Sequence, residues 1–180
     1  MLEWRSAMNL LIVDDEYLVV EEVVTVTDWE LLGITEIYSA TNAVSAVRIL
    51  NEKKIDIMIC DIEMPQTDGL ELSKKAKENF PDLEIVMLTS HAEFNYVRNA
   101  LRYGCYDYLL KPVMEDDIIK VMKNLVTKIE RDRYRDRKRE RVKTGTSHPR
   151  RLRQIQKCDF DRDGTFRTAS RTARQVGVLH

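Results

Sequence analysis

Ile57-Met58-Ile59-Cys60-Asp61 sets an unbroken apolar run directly before a carboxylate. The same arrangement recurs on either side of it. Leu10-Leu11-Ile12-Val13 leads into Asp14-Asp15, and Tyr108-Leu109-Leu110 leads into Lys111-Pro112. Short apolar runs without polar alternation, separated by segments of helical period, read as parallel strands buried on both faces of an alternating β/α domain. In such sheets ligands gather at the carboxyl ends of the strands. Three acidic residues and one lysine are therefore expected to meet in one crevice.

Carboxylates held that close repel one another and must take up protons or share a cation. A hard divalent ion such as Mg²⁺ suits them, because it takes oxygen ligands and is held by one or two carboxylates together with phosphate and water. Lys111 adds a compact ammonium, a fitting counter-charge for a phosphoryl oxygen. A carboxylate, a metal and a lysine together make a site for placing phosphate on an aspartate.

Four pieces in fixed order carry a resemblance: Val13-Asp14-Asp15-Glu16, Asp61-Ile62-Glu63-Met64-Pro65 running into Asp68-Gly69-Leu70, Leu88-Thr89-Ser90, and Tyr108-Leu109-Leu110-Lys111-Pro112. Residues 9–125 resemble the receiver domains of two-component response regulators. That resemblance implies a flavodoxin-like (β/α)5 fold, doubly wound around a five-stranded parallel sheet. It implies that Asp61 accepts a phosphoryl group from a sensor histidine kinase. Asp15 is then expected to bind Mg²⁺ directly, Asp14 mainly through water, and Glu63 through its backbone carbonyl. Lys111 is expected to pair with the phosphoryl oxygens, with a cis bond to Pro112. Thr89 is expected to hydrogen-bond the phosphoryl group, and Tyr108 to change rotamer in response. The signalling face implied is the helix over residues 91–103, the strand near 106–109 and the last helix. A homodimer through that face is one arrangement the resemblance leaves open.

Each residue also has a plainer reading. Asp14 and Asp15 are favoured helix caps. Asp61 before a Pro-Gly loop suits a turn. Thr89 and Tyr108 suit ordinary strands, and a lysine before proline suits a solvated loop. The order and spacing of the whole set decide for the site.

Working outward, the first strand is expected over residues 9–13 and a first helix over 16–27, with Leu18, Val19, Val23 and Val26 on its apolar positions. Its β-branched residues weaken helix propensity, so packing must compensate. The link over residues 28–33, Asp28-Trp29-Glu30-Leu31-Leu32-Gly33, is longer than a receiver needs and resembles receivers joined to AraC-type helix-turn-helix output domains. The pattern then predicts a strand over 36–40, a helix over 43–51 carrying Val44, Val47 and Leu50, and a strand over 55–60. A helix over 69–79 stops before Pro81, and a strand over 84–88 delivers Thr89. The segment 91–103 reads as a helix closed by Gly104, with Asn95, Arg98, Asn99 and Arg102 on its outward face. The last helix begins near residue 116. Ile118, Met122, Leu125 and Ile129 form a seam that is expected to pack on the sheet, because it dies at Asp132 and Asp136 before heptads are sustained.

Three segments follow: a receiver domain over 9–127, a charged helical extension over 128–143 that frays, and a basic tail over 144–180 expected to be disordered. The net charge of −1 conceals an asymmetry. Residues 1–115 hold 10 Lys and Arg against 21 Asp and Glu, and residues 116–180 hold 19 against 9. An acidic body with a basic tail points to DNA or another acidic partner for the tail, or to a solvated helix and end. DNA contact is expected only if an output domain exists or the tail binds non-specifically. The two helix-turn-helix units that the AraC likeness implies do not fit in the residues after 144, as truncation, a frameshifted gene end or an expression scar would explain. Cys60, Cys105 and Cys158 form neither a disulfide framework nor a zinc motif. No stretch suits a membrane span or a leader, so the expected location is the cytoplasm. Asp159-Phe160-Asp161-Arg162-Asp163-Gly164 imitates half a calcium loop, but Ser170 stands where the bidentate glutamate belongs.

Three function classes are in play. The first is a phosphoacceptor switch, not an enzyme with turnover. The second is a DNA-binding transcription regulator with its AraC-type output truncated or absent. The third is an aspartyl-nucleophile phosphatase of similar fold.

Overall fold

The computed structural model describes residues 7–65, 67–90, 104–143, 158–160 and 166–168. Its principal elements are β1 (Met8–Val13), α1 (Tyr17–Thr25), β2 (Ile34–Ala40), α2 (Ala43–Glu52), β3 (Ile57–Asp61), α3 (Gly69–Asn79), β4 (Glu84–Thr89), β5 (Asp107–Leu110) and α4 (Glu115–Lys143). The five strands form one parallel sheet in the order β2-β1-β3-β4-β5. The chain thus winds one way from β1 to β2 and back the other way from β3, which makes the β1/β3 boundary the switch point where a crevice opens.

The continuous apolar runs become strands because both faces are covered. Leu11, Val13, Met58, Cys60, Ile85 and Met87 face one core with Ala46, Leu50, Leu72 and Ala76 from α2 and α3. Leu10, Ile12, Ile57, Ile59, Val86 and Leu88 face the other with Val20, Val23, Met122 and Leu125 from α1 and α4. Burying both faces of a strand is the condition under which polar alternation disappears from its sequence.

Several expected boundaries shift. Strand β2 starts at Ile34, two residues before the pattern suggested, because Ile34 is buried and pairs with Met8. In α1 the buried residues are Val20 and Val23, whereas Leu18 is 76% exposed. Val23 lies on the expected face, and Val19 and Val26 pack against the same core; of the four expected positions Leu18 alone turns away from the sheet. In α2 the buried residues are Ala43, Ala46, Val47 and Leu50, with Val44 54% exposed. Small alanines let that helix approach the sheet more closely than a face built on Val44. Helix α3 keeps the expected bounds.

The link before β2 folds as a single 3₁₀ turn, Glu30–Leu32, closed by Gly33 in the left-handed region at φ 86°. Trp29 is buried beneath it and donates its indole N–H to the Val24 carbonyl at 3.0 Å, satisfying the end of α1. The seam Ile118, Met122, Leu125 and Ile129 is buried against the sheet, as expected. Helix α4 continues without interruption to Lys143. In the tail, Cys158–Phe160 pairs antiparallel with Phe166–Thr168, a short ladder in a segment expected to lack regular structure. The expected helix over 91–103 and most of the imitation calcium loop lie outside the described residues. No helix among the described residues is long and apolar enough to cross a membrane.

Candidate functional site

Strand register assembles the site. Val13 pairs with Cys60, so the next residues along β1 and β3, Asp14 and Asp61, lie side by side. Asp61 pairs with Leu88, which brings Thr89 to the neighbouring strand end, and Thr89 pairs with Leu110, which sets Lys111 beside it. The Lys111 N–H donates to the Thr89 carbonyl at 2.9 Å, fixing that turn. The Lys111-Pro112 peptide is cis.

Lys111 Nζ lies 2.7 Å from Asp14 Oδ2 and 3.0 Å from Asp61 Oδ1. Asp14 is buried and Asp61 is 3% exposed, so these charges meet out of water. Asp15 adds a third, solvent-accessible carboxylate, and one ligand oxygen from each acid lies within 4.8 Å of the others. The plainer readings give way here. The cap residue of α1 is Glu16, not Asp14 or Asp15; Asp14 Oδ1 instead accepts the Glu16 N–H at 2.9 Å, and Asp61 is the last residue of a strand. Lys111 is largely buried rather than solvated.

The electrostatics follow from that crowding. Burial raises the Asp61 carboxyl above the usual carboxylate range, while the hydrogen bond and charge of Lys111 oppose the rise and Asp14 and Asp15 add to it. Burial pulls the Lys111 ammonium down, but its bonds to Asp14 and Asp61 outweigh that and hold it above the ordinary lysine value.

The arrangement suits a divalent cation. Three carboxylates facing one ammonium leave two negative charges in a small volume. Asp14 Oδ2 is buried, with Lys111 Nζ beside it at 2.7 Å. Oxygen ligands with an excess of negative charge are the donor set of Mg²⁺. The Glu63 side chain is exposed and does not enter the cluster; the residue sits in a short ladder where Glu63-Met64 pairs with Thr67-Asp68.

Thr89 is buried at the end of β4, between the strands that carry Asp61 and Lys111. Tyr108 is half-buried in β5 opposite Met87 and packs on the α2/α3 core, three residues before Lys111. It therefore lies beside the site without joining the charged cluster.

Gly69, quoted above only as part of a motif, has a local role. A Cβ added there would lie 1.8 Å from the Asp61 carbonyl oxygen, and its N–H donates to the Ile62 carbonyl at 2.9 Å. Asp68 caps the same helix, accepting the Leu70 N–H at 2.8 Å. The start of α3 thus rests against the backbone of Asp61. The signal was legible as a glycine at the first position of a helix, where its low propensity needs a reason.

The response regulator receiver domain matches residues 10–123. The chain is 33% identical over 142 residues to YesN of Bacillus subtilis, an uncharacterized transcriptional regulatory protein, covering 79% of this chain and 39% of that one. It is 29% identical over 121 residues to the uncharacterized response regulatory protein SERP2406 of Staphylococcus epidermidis, covering 67% of this chain and 47% of that one. The chain therefore spans less than half the length of either relative. Among solved structures, the receiver domain of AraT, a response regulator from Geobacillus stearothermophilus, matches with a TM-score of 0.66 and 29% identity over 70% of this chain and 98% of that one. A CheY-like receiver domain protein from Methanospirillum hungatei matches with a TM-score of 0.64 and 25% identity over 71% of this chain and 99% of that one.

Proposed function

This chain belongs to the response regulator receiver domain family, and on that premise we propose that Asp61 is the carboxylate that takes a phosphoryl group from the phosphohistidine of a sensor kinase. The observation that carries the reading is Asp61 at the end of a central strand, buried between Asp14, Asp15 and Lys111. A carboxylate oxygen of Asp61 attacks phosphorus as the P–N bond breaks, and the histidine imidazole leaves with the bonding pair and takes up a proton. Lys111 offers its ammonium to the phosphoryl oxygens, and the Thr89 hydroxyl donates a hydrogen bond to one of them. Asp14, Asp15 and Asp61, with the Glu63 carbonyl, are the ligands for Mg²⁺, which when bound supplies charge compensation for the incoming phosphate. The reaction ends on the protein, so the chain is a switch rather than a turnover enzyme, acting in the cytoplasm.

The group adds about −1.5 to −2 charges at Asp61. Thr89 and Tyr108 carry that change to the β5 side, where the face that includes β5 and α4 alters its contacts, with a second copy as one partner. The test is intact mass after treatment with acetyl phosphate, with and without Mg²⁺, beside Asp61→Asn. Gain of one phosphoryl group that needs both Mg²⁺ and Asp61 supports the reading; a folded protein that gains none under any condition removes it. Hydrolysis of a free phosphate ester at steady state would favour a phosphatase instead.

A second reading rests on the relatives. YesN is named a transcriptional regulatory protein, and this chain spans 39% of it. The chain then represents the receiver part of a DNA-binding regulator whose AraC-type output is not within residues 1–180. A gel shift run across salt concentrations, with and without residues 144–180, separates the cases, since binding through phosphates alone is indifferent to sequence and falls steeply with salt.

A further inference from the structure

The far end of the sheet carries a second set of charges, with one buried carboxylate at its centre. Asp56 stands just before β3, at the opposite end of that strand from Asp61, and is 6% exposed. Its backbone N–H donates to the Asn9 carbonyl at 3.0 Å, its carbonyl accepts the Glu84 N–H at 3.0 Å, and its Oδ2 accepts the Asn9 N–H at 2.9 Å. The remaining oxygen, Oδ1, accepts a short charge-assisted bond from Arg133 of α4. Lys54 Nζ, mostly exposed, is a weaker neighbour at 3.9 Å. A turn earlier on α4, Lys128 Nζ lies 2.7 Å from Glu84 Oε1 and 6.0 Å above the Tyr106 ring, while Lys77 of α3 reaches the same Glu84 oxygen at 3.3 Å.

Lys128 stands at the end of the apolar seam, which stops at Ile129, and Arg133 lies beyond it. Residues 134–140 are all exposed. The extension also supports itself as a helix: Asp132, Asp136 and Glu140 form one row four residues apart, flanked by the rows Arg131, Arg135, Arg139, Lys143 and Arg133, Arg137, Arg141. Asp136 therefore has Arg133 and Arg139 three residues away on either side, and Asp132 meets Arg135 three residues on at 3.7 Å and Lys128 four residues back at 3.5 Å.

We propose that Asp56–Arg133 and Glu84–Lys128 clamp α4 to the amino-terminal edge of the sheet, so that residues 128–143 leave the receiver as a rigid strut whose direction does not depend on the state of Asp61. The folded unit then ends at Arg133 rather than at the last apolar contact, and the strut carries the chain after it roughly 15 Å from the sheet edge. A buried carboxylate whose guanidinium is removed stands unpaired in low dielectric, so the bond opposes any swing of the helix. Asp56 and Asp61 are about 16 Å apart along β3. A change at Asp61 therefore acts at the opposite end of the domain from the clamp, where β5 ends and α4 begins, and leaves residues 128–143 in place. This last part rests on Asp61 being the phosphoacceptor.

Amide hydrogen exchange on the full chain tests it. Arg133→Ala is expected to speed exchange of the amides in residues 128–143 by about tenfold or more, while Arg135→Ala, which removes an exposed pair within the helix, leaves them unchanged. Equal rates in the two variants, whether both fast or both slow, would overturn the clamp. Acetyl phosphate with Mg²⁺ is expected to leave those amides within about twofold of the untreated protein. Loss of protection on phosphorylation would overturn the strut's independence. Intact mass on the same samples reports separately whether Asp61 took the group, so failure of the site assignment is distinguishable from failure of the clamp.

Discussion

At the scale of single residues, Asp61 is held in a state it would not choose in water. Its folded carboxyl titrates above the ordinary value, chiefly through burial. The unfolded chain therefore gives up this proton at lower pH than the native protein does. The contribution of Asp61 to stability is fully present below the unfolded value near 3.8 and is lost as pH rises through the raised folded value. Asp61→Asn keeps a neutral isostere in place, so it should be more stable than the parent at pH 7 in chelator. The gain should shrink as pH falls through the raised value, which urea titrations over pH 4 to 8 would show; a gain that does not depend on pH would remove the argument. Lys111 has the opposite consequence. Lys111→Ala leaves Asp14 and Asp61 buried without their counter-ion and should cost about 3 kcal/mol in chelator. Added Mg²⁺ should recover more stability in this variant than in the parent, read as a larger shift in thermal midpoint. The same variant should still take up phosphate but fail to change its contacts.

At the scale of elements, the site depends on how closely α3 approaches β3. Gly69→Ala places a Cβ against the Asp61 carbonyl, and because that neighbour is backbone the helix must move. The expected cost is about 1–3 kcal/mol, together with slower phosphoryl uptake. Denaturant midpoints and mass-monitored phosphorylation would check both, and an unaffected uptake rate would show that Asp61 is positioned by its strand alone. The turn before β2 is the second such element. Trp29 fills the space between the end of α1 and the sheet face that α4 covers, so Trp29→Ala should cost about 3–5 kcal/mol by opening a cavity. That loss should appear in thermal unfolding without altering the Mg²⁺ requirement of phosphorylation.

At the scale of the whole molecule, an acidic body is joined to a basic end by one long helix of 29 residues. If the basic end meets DNA, binding should be indifferent to sequence, should weaken linearly on a log scale with salt, and should vanish on removal of residues 144–180. Salt-resistant, sequence-selective binding in a gel shift would contradict this. The sequence by itself determined the strand cores, because apolar runs unbroken by polar residues have one economical use. It also determined the four strand ends where Asp14, Asp61, Thr89 and Lys111 stand, because strand ends and charge coincide along the chain. It placed Val23, Val47 and Leu50 on the buried faces of α1 and α2, but it did not exclude Leu18 and Val44, which sit at apolar positions and stand exposed; only contact with the sheet decided that. Nor did it hold the partners of Asp56 and Arg133, which are 77 residues apart. Pairings of that kind have no local period or motif; they exist only once parallel register and the path of α4 have brought the two ends of the domain together.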